Sequence, residues 1–253
     1  MLFRSETDSV EYPTLIYDGP FSQSEKIGKP QTQRDNVEKD VLEEKATRLL
    51  GQCSLEGENQ GNIPCYVFEN KEKNAAYTKQ GGLLLWYLDA SKQSGAGISD
   101  EQAKENAKEF LNDAGYEGFE SVFASKGEDS IIFNFAPVVS DAVVYPDLVK
   151  VRVSLESGAV TGFEGSGYVI CNKERALEQP IVSKQEAADK ISGLLSVQSA
   201  RLSVIPKGDA EALAWEFYCL YGNDKYIVYI DALNGKQIQM YRIISTDNGD
   251  MVI

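Results

Sequence analysis

Apolar residues recur at helical spacing in three stretches of the chain, and alternating strand-like sequence follows each stretch. In VLEEKATRLL (41–50) Leu42, Ala46, Leu49 and Leu50 fall at i, i+4, i+7 and i+8. Ala103, Ala107, Phe110 and Leu111 repeat that spacing in 99–111, and Ala187, Ile191, Leu194 and Leu195 repeat it in 183–195. Such spacing gathers the apolar side chains on one helical face, so three amphipathic helices are predicted. Ser99 with Gln102, and Ser183 with Glu186, have the capping-box separation at which a serine side chain satisfies the N3 amide and the N3 side chain reaches back. The first helix has Asp35, Asn36 and Asp40 as candidate caps.

The strand-like segments share a second pattern. AYTKQGGLLLWYL (76–88), RVSLESGAVTGFE (152–164) and YIDALNGKQIQMY (229–241) each read as a strand, a glycine-containing turn and a return strand. Aligned on Gly82, Gly158 and Gly235, their spacings are 76 and 77 residues. Glycine suits a tight hairpin because positive φ is strained for residues carrying a side chain. Asn234-Gly235 fits a two-residue type I′ turn, Ser157-Gly158 is compatible with one, and Gln80-Gly81-Gly82 fits a three-residue loop or a shifted register. A further strand lies between each helix and its hairpin, in IPCYVFEN (63–70), SIIFNFAPVV (130–139) and ALAWEFYCLY (212–221).

The expected fold class is therefore α+β, with three tandem units that each lay a helix on a small antiparallel sheet. The expected boundaries are an N-terminal aromatic segment and linker over 1–34, a first repeat over 35–94, a second over 95–175 and a third over 176–253. Linkers are expected near 91–97 and 172–180. One such unit buries little apolar surface, so neighbouring units are expected to pack together. The N-terminal EYPTLIYDGPFSQ (11–23) concentrates aromatic, proline and glycine residues. Its Tyr12, Tyr17 and Phe21 read first as a strand docking on the protein's own sheet, because together they would expose an apolar patch of aggregating size. They are also the candidate partner-binding residues.

Composition narrows the chemistry. The chain of 253 residues has no histidine, which removes Ser-His-Asp and Cys-His catalysis and every imidazole-ligated metal site. Its four cysteines, Cys53, Cys65, Cys171 and Cys219, form no C-x-x-C pair and read as buried free thiols, with a Cys53 to Cys65 disulfide as the alternative. No phosphate loop or nucleophile elbow is present. Thirty-nine acidic residues set against twenty-five basic ones give a net charge of −14, which repels phosphate backbones and argues against nucleic acid. That acidity reads as solubility first and as attraction of a basic partner second. Paired carboxylates for glycoside hydrolysis depend on spatial separation and are not legible in sequence. DNGD (247–250) lacks the remaining ligands of a calcium loop and reads as a frayed turn. Trp86 and Trp215 read as core. There is no run of about 18 apolar residues and no apolar leader, so the chain as given is expected neither to span nor to target a membrane.

YIDALNGKQI (229–238) after VSKQEAADKISGLL (182–195) resembles the PepSY domain family, in which a short helix precedes a strand, an aspartate, a turn glycine and a return strand. Taken with EYPTLIYDGPF, GGLLLWYL and a second copy over 98–165, the chain resembles the YpeB family of spore germination proteins over essentially its whole length. The resemblance implies a non-enzymatic protein without cofactors, anchored through an N-terminal membrane segment that this chain lacks, at the extracytoplasmic face of the spore inner membrane. It also implies a partner, the cortex-lytic hydrolase SleB, which the family stabilises or restrains until germination. The alternative is a sensor module for a small molecule or peptidoglycan fragment. No catalytic or metal-binding residues carry over. Thr78 and Ser154 stand where the third hairpin has Asp231, so the expected role of Asp231 is local turn hydrogen bonding.

Overall fold

The computed structural model describes residues 19–21, 29–246 and 249–253. Over these residues it is an α+β fold with fourteen strands and few helices. The first helix, α1 (Lys39–Leu50), precedes β1 (Ser54–Asn59), β2 (Cys65–Asn70), β3 (Lys73–Thr78) and β4 (Leu84–Asp89). Next come α2 (Asp100–Asp113), β5 (Phe119–Lys126), β6 (Ser130–Val139), β7 (Ala142–Val144), a 3-10 turn at Tyr145–Asp147, β8 (Val149–Ser154) and β9 (Val160–Glu164). Two short helices, α3 (Ser166–Cys171) and α4 (Lys184–Ala188), lead into β10 (Ser196–Lys207), β11 (Ala210–Tyr221), β12 (Asp224–Asp231), β13 (Gln237–Thr246) and β14 (Gly249–Val252).

The three predicted hairpins are β3–β4, β8–β9 and β12–β13, each with antiparallel pairing. They do not lie in three separate small sheets. The strands run in one path, β1-β2-β3-β4-β9-β8-β6-β7-β10-β11-β12-β13-β14, with β5 attached to β6. The first and second hairpins join through antiparallel β4 and β9, with Trp86 opposite Glu164 and Tyr87 opposite Phe163. Their helices share one hydrophobic cluster: Leu42, Ala46 and Leu50 of α1 and Ala103, Ala107 and Leu111 of α2 are buried with Phe68, Phe133, Phe135 and Phe163. Tyr116 fastens this junction by donating its hydroxyl to the Leu84 carbonyl at 2.5 Å. The third hairpin is reached through a short parallel contact, Leu202–Val204 against Ala142–Val144; one cluster around Ala187, Phe217 and Val228 is its own, and two others pack its strands with Ala136, Val143 and Leu148 and with Ala142 and Val144 of the second region.

Helix α4 departs from expectation. It ends at Ala188, and Leu194 is 73% exposed where the periodicity placed it on the buried face. Ser192 and Gly193 follow within the same stretch, and their poor helix propensity outweighs the apolar spacing. Ala187 and Ile191 still pack inward, beside Phe217 and Val228. The Ser183 and Glu186 capping box is complete. At α2 only half of it forms: Ser99 accepts from the Gln102 amide, while the Gln102 side chain donates to Asn106 instead. At α1 the cap is Glu38, without a side-chain bond, so Asp35, Asn36 and Asp40 are not its caps. Gly249–Val252 is a strand on β13 and not a frayed turn, while Asp247 and Asn248 lie outside the described residues.

Gly82, Gly158 and Gly235 occupy the hairpin loops with φ of +58°, +77° and +71°. The third loop is not a type I′ turn, because Asn234 keeps negative φ. Instead the Gly235 amide donates to the Asp231 carbonyl and the Asp231 amide to the Lys236 carbonyl, closing a four-residue loop whose last position is left-handed. The second loop closes identically, from Gly158 to Ser154 and from Ser154 to Ala159. In the first, the Thr78 amide donates to the Leu83 carbonyl. The buried side chains of Thr78, Ser154 and Asp231 then accept from loop amides: Leu83 at 3.0 Å, Glu156 at 3.2 Å and Leu233 at 3.0 Å respectively. These are the hydrogen-bonded turns that short polar side chains favour.

Each loop also meets a residue at one equivalent offset in the preceding helical stretch. Lys45 Nζ donates to the Gly82 carbonyl at 2.7 Å and Asn106 Nδ2 to the Gly158 carbonyl at 2.8 Å. Lys190, at the same offset in the third region, places its Cε 3.8 Å from where a Cβ on Gly235 would stand. A Cβ on Gly158 would stand 2.9 Å from Asn106 Nδ2. Gly235→Val is therefore expected to cost about 1–3 kcal/mol through backbone strain alone. Gly158→Val should cost more, because it adds the collision with Asn106, and Lys236→Gln should stay within about 0.5 kcal/mol. Denaturant midpoints of the three variants check this order, and a Gly235→Val chain as stable as the parent contradicts it.

Candidate functional site

Three places gather functional side chains among the described residues. The first holds Phe21, the only candidate partner-binding residue that is described; Tyr12 and Tyr17 lie outside the described residues. Phe21 is half-buried against Tyr145, Tyr229 and Tyr241, with ring centroids 5.5, 4.9 and 5.5 Å away. Its amide donates to Tyr241 Oη at 3.3 Å. Behind the rings, Arg201 donates to Glu216 at 2.9 Å and to Tyr145 Oη at 2.8 Å. Burial pushes the Tyr145 phenol well up, and the Glu216 charge beside it acts in the same direction. This phenol is a fixed dipole and not an acid.

The second place is an ion network where the 172–182 segment crosses from the second region to the third. Arg175 makes a two-pronged contact with Asp147, at 2.9 and 2.7 Å, and another with Glu211, at 3.0 and 2.9 Å. It also donates to the Cys171 carbonyl. The guanidinium is 4% exposed and the Asp147 side chain 1%, so the planar fork satisfies two carboxylates that burial would otherwise penalise. Burial still raises the Asp147 carboxyl above its ordinary value, despite Arg175. At the less enclosed Glu211 burial also pushes upward, but the Arg175 and Lys173 contacts outweigh it and hold the carboxyl low. Asn172 extends the network: its amide donates to Asp147 at 3.0 Å, and its oxygens accept from Arg34 at 2.7 Å and Thr32 at 2.5 Å.

The third place is a polar cleft of about 330 Å³ between the end of β4 and the β8–β9 loop, lined by Asp89, Ser91, Gln93, Asp129, Arg152 and Glu156 among others. Its groups are largely paired with one another. Asp89 accepts from the Ser91 amide at 2.9 Å and pairs with Lys73 at 3.2 Å. Burial works against the Asp89 charge, but these contacts win and its carboxyl is lowered. Arg152 is held by Thr161.

The remaining reactive candidates sit in structural roles. All four cysteines are free thiols, without the Cys53 to Cys65 bridge. Burial pushes the Cys65 thiol up to about 11, so it stays protonated and poorly nucleophilic at neutral pH. Trp86 packs in a cluster with Ile63, Leu85 and Val169, and Trp215 donates its indole N–H to the Val182 carbonyl. Among the described residues no group of three or more Cys, Asp and Glu could hold a metal ion, and no helix is long and apolar enough to cross a membrane. The Arg175 network was invisible in the sequence, where Arg175 is one charge in a linker. The only local hint was a lone arginine flanked by carboxylates in ERALE.

Residues 4–178 match the family model for YpeB sporulation, PepSY1 and PepSY2 domains. The chain belongs to the YpeB family. That model treats the first two PepSY domains together, in keeping with the shared core of α1 and α2. Curated relatives named sporulation protein YpeB include that of Halalkalibacterium halodurans, 31% identical over 177 residues and covering 68% of this chain and 39% of the relative. The Oceanobacillus iheyensis protein is 27% identical over 204 residues, covering 78% and 45%. The chain thus spans less than half the length of these relatives. The solved C-terminal domain of Bacillus megaterium YpeB is similar, with a TM-score of 0.71 at 25% identity over 82% of this chain and 98% of that domain.

Two expected outcomes follow from the site's charges. Arg175→Met strands Asp147 in a dry position and should cost about 3–5 kcal/mol by denaturation, while pairing it with Asp147→Leu should restore part of that loss. Asp231 offers a pH test. Burial pushes its carboxyl upward, but the Leu233 amide, Lys207 and the Asn234 amide outweigh it and hold the folded value below the usual 3.8. The charged group's stability is then fully present above that value and is lost as pH falls through the lower folded one. Asp231→Asn should be less stable than the parent at pH 7, and the gap should narrow as pH falls below 3.8 and through the lower folded value. A gap that stays constant with pH would show that only the carbonyl geometry matters.

Proposed function

We propose that this chain is a non-enzymatic spore germination module, built from three copies of the PepSY unit, that binds and restrains the cortex-lytic hydrolase SleB at the spore inner membrane. The observation that carries the reading is that family membership coincides with buried ionisable groups committed to structure. Asp89, Asp147, Glu164, Glu216 and Asp231 each pair with a lysine or arginine of this chain. What remains for a partner is the surface, and the chain's net charge of −14 attracts a basic protein. The strand path also ends at β1, where Leu55, Glu56 and exposed backbone stand at an edge among the described residues. An acidic sheet edge supports pairing with an extended basic segment.

A second reading, capture of a small molecule or peptidoglycan fragment, has the polar cleft in its favour. That cleft lacks aromatic walls, and its serines and carboxylates suit a hydroxyl-rich or amino-bearing ligand. Soluble muropeptides that protect cleft residues from exchange, with no hydrolase binding, would favour this reading.

The test of the first reading is binding kinetics between this chain and SleB across a salt series. Complementary charge accelerates encounter, while the contacts formed set the release rate. Raising salt from about 0.01 to 0.15 M shortens the screening length from about 30 to 8 Å, so association should slow more than release quickens. No binding at any salt would overturn direct capture, and salt-independent association would confine the acidity to solubility.

A further inference from the structure

Phe21 arrives at the third region from the far end of the chain, 220 residues in sequence from the Tyr241 hydroxyl that its amide meets. Its backbone has φ of +64°, a conformation that a bulky residue keeps only where its surroundings over-determine it. Here the surroundings are three tyrosine rings. Phe21 lies edge-on to Tyr145 and Tyr241 and tilted by 57° to Tyr229.

The walls of the slot come from elements other than the one that carries Phe21. Tyr229 and Tyr241 belong to paired strands β12 and β13. Tyr145 sits in the 3-10 turn, where the Arg201 guanidinium donates to its hydroxyl and lies 5.9 Å from its ring centroid. Tyr145 and Tyr229 also meet each other edge-on at 6.3 Å, as do Tyr229 and Tyr241 at 6.2 Å. The walls are therefore preorganised, which reduces the ordering cost of filling the slot. All three walls are tyrosine, a side chain with an apolar face and a polar rim that suits surfaces alternately wet and filled. The occupant is only half-buried, whereas Tyr145 and Tyr229 are 5% and 0% exposed. A rigid receptor with a strained, partly exposed occupant delivered from a distant segment has the geometry of a plug in a socket.

We propose that the Tyr145, Tyr229 and Tyr241 slot is an exchangeable binding site for an aromatic side chain carried on a turn, filled in cis by Phe21 and open to a competing protein segment of the same chemistry. The proposal stands apart from the hydrolase reading: loss of SleB binding leaves it intact, and its own failure leaves that reading intact.

The experiment uses the whole chain, as parent, Phe21→Ala and Phe21→Leu, with a fluorescent synthetic peptide of residues 11–23 as the probe and anisotropy as the readout. The peptide is expected to bind the Phe21→Ala chain at least about tenfold more tightly than the parent, whose slot is occupied, and the Phe21→Leu chain to an intermediate degree. The same peptide carrying Phe21→Ala is expected to lose at least about tenfold in affinity for the Phe21→Ala chain. Equal binding to parent and variant chains, equal binding of the two peptides, or no uptake by either variant chain would overturn the proposal. So would global unfolding of the Phe21→Ala chain, since Phe21 would then be a strut of the core and not a replaceable plug.

Discussion

Antiparallel pairing of β4 with β9 is the contact on which the first two-thirds of the molecule depends. A helix over one hairpin cannot enclose enough apolar surface to repay the conformational entropy of ordering it. Joining the return strands of two hairpins edge to edge removes two exposed edges and lets α1 and α2 cover one continuous cluster that contains Leu42, Leu111, Phe68 and Phe163. Tyr87 and Phe163 face each other across that seam. A disturbance on either side of it is felt by both helices.

The third region is attached differently, and the difference bears on how partners could act on it. The strand contact is only the short parallel pairing of β7 and β10. Apolar clusters that pack Val143, Val144 and Leu148 with Val204, Ile205 and Leu213 reinforce it, and the Arg175, Asp147 and Glu211 network and the Phe21 slot add polar and aromatic groups that need exact placement. Such contacts contribute less net stability than apolar burial, but leaving one partner behind in a dry site is costly. The joint therefore combines apolar packing with a few specifically placed polar groups, whereas the seam between the first two regions is one broad core.

The hairpin loops join the sequence pattern to the tertiary structure. Thr78, Ser154 and Asp231 differ chemically, yet each presents an oxygen to loop amides. What recurs is the backbone geometry and the side chain beneath it, Lys45 on α1, Asn106 on α2 and Lys190 just past the end of α4. That agreement explains why no single residue at these turns works as a functional signature: an acceptor oxygen is required there, not a carboxylate.

Local pattern determined much of this protein. Helix faces follow from 3.6-residue periodicity, strands from alternation and loops from glycine, and each depends on residues near one another in sequence. Those rules placed α1, α2, β6 and the three hairpins. They misplaced the end of α4, because Ser192 and Gly193 break the helix while the apolar spacing runs on, and they misread the Asn234-Gly235 turn, because a four-residue loop with one left-handed glycine contains the same dipeptide. The candidate sites lay further from view. Phe21 could be singled out as aromatic, but the tyrosines that receive it come from three distant elements, and Arg175 gained its two carboxylates only when the 3-10 turn and β11 met. Long-range pairing decided which hairpin edges fused and which charges were buried together, since side chains tens of residues apart in the chain leave no periodic trace of their contact.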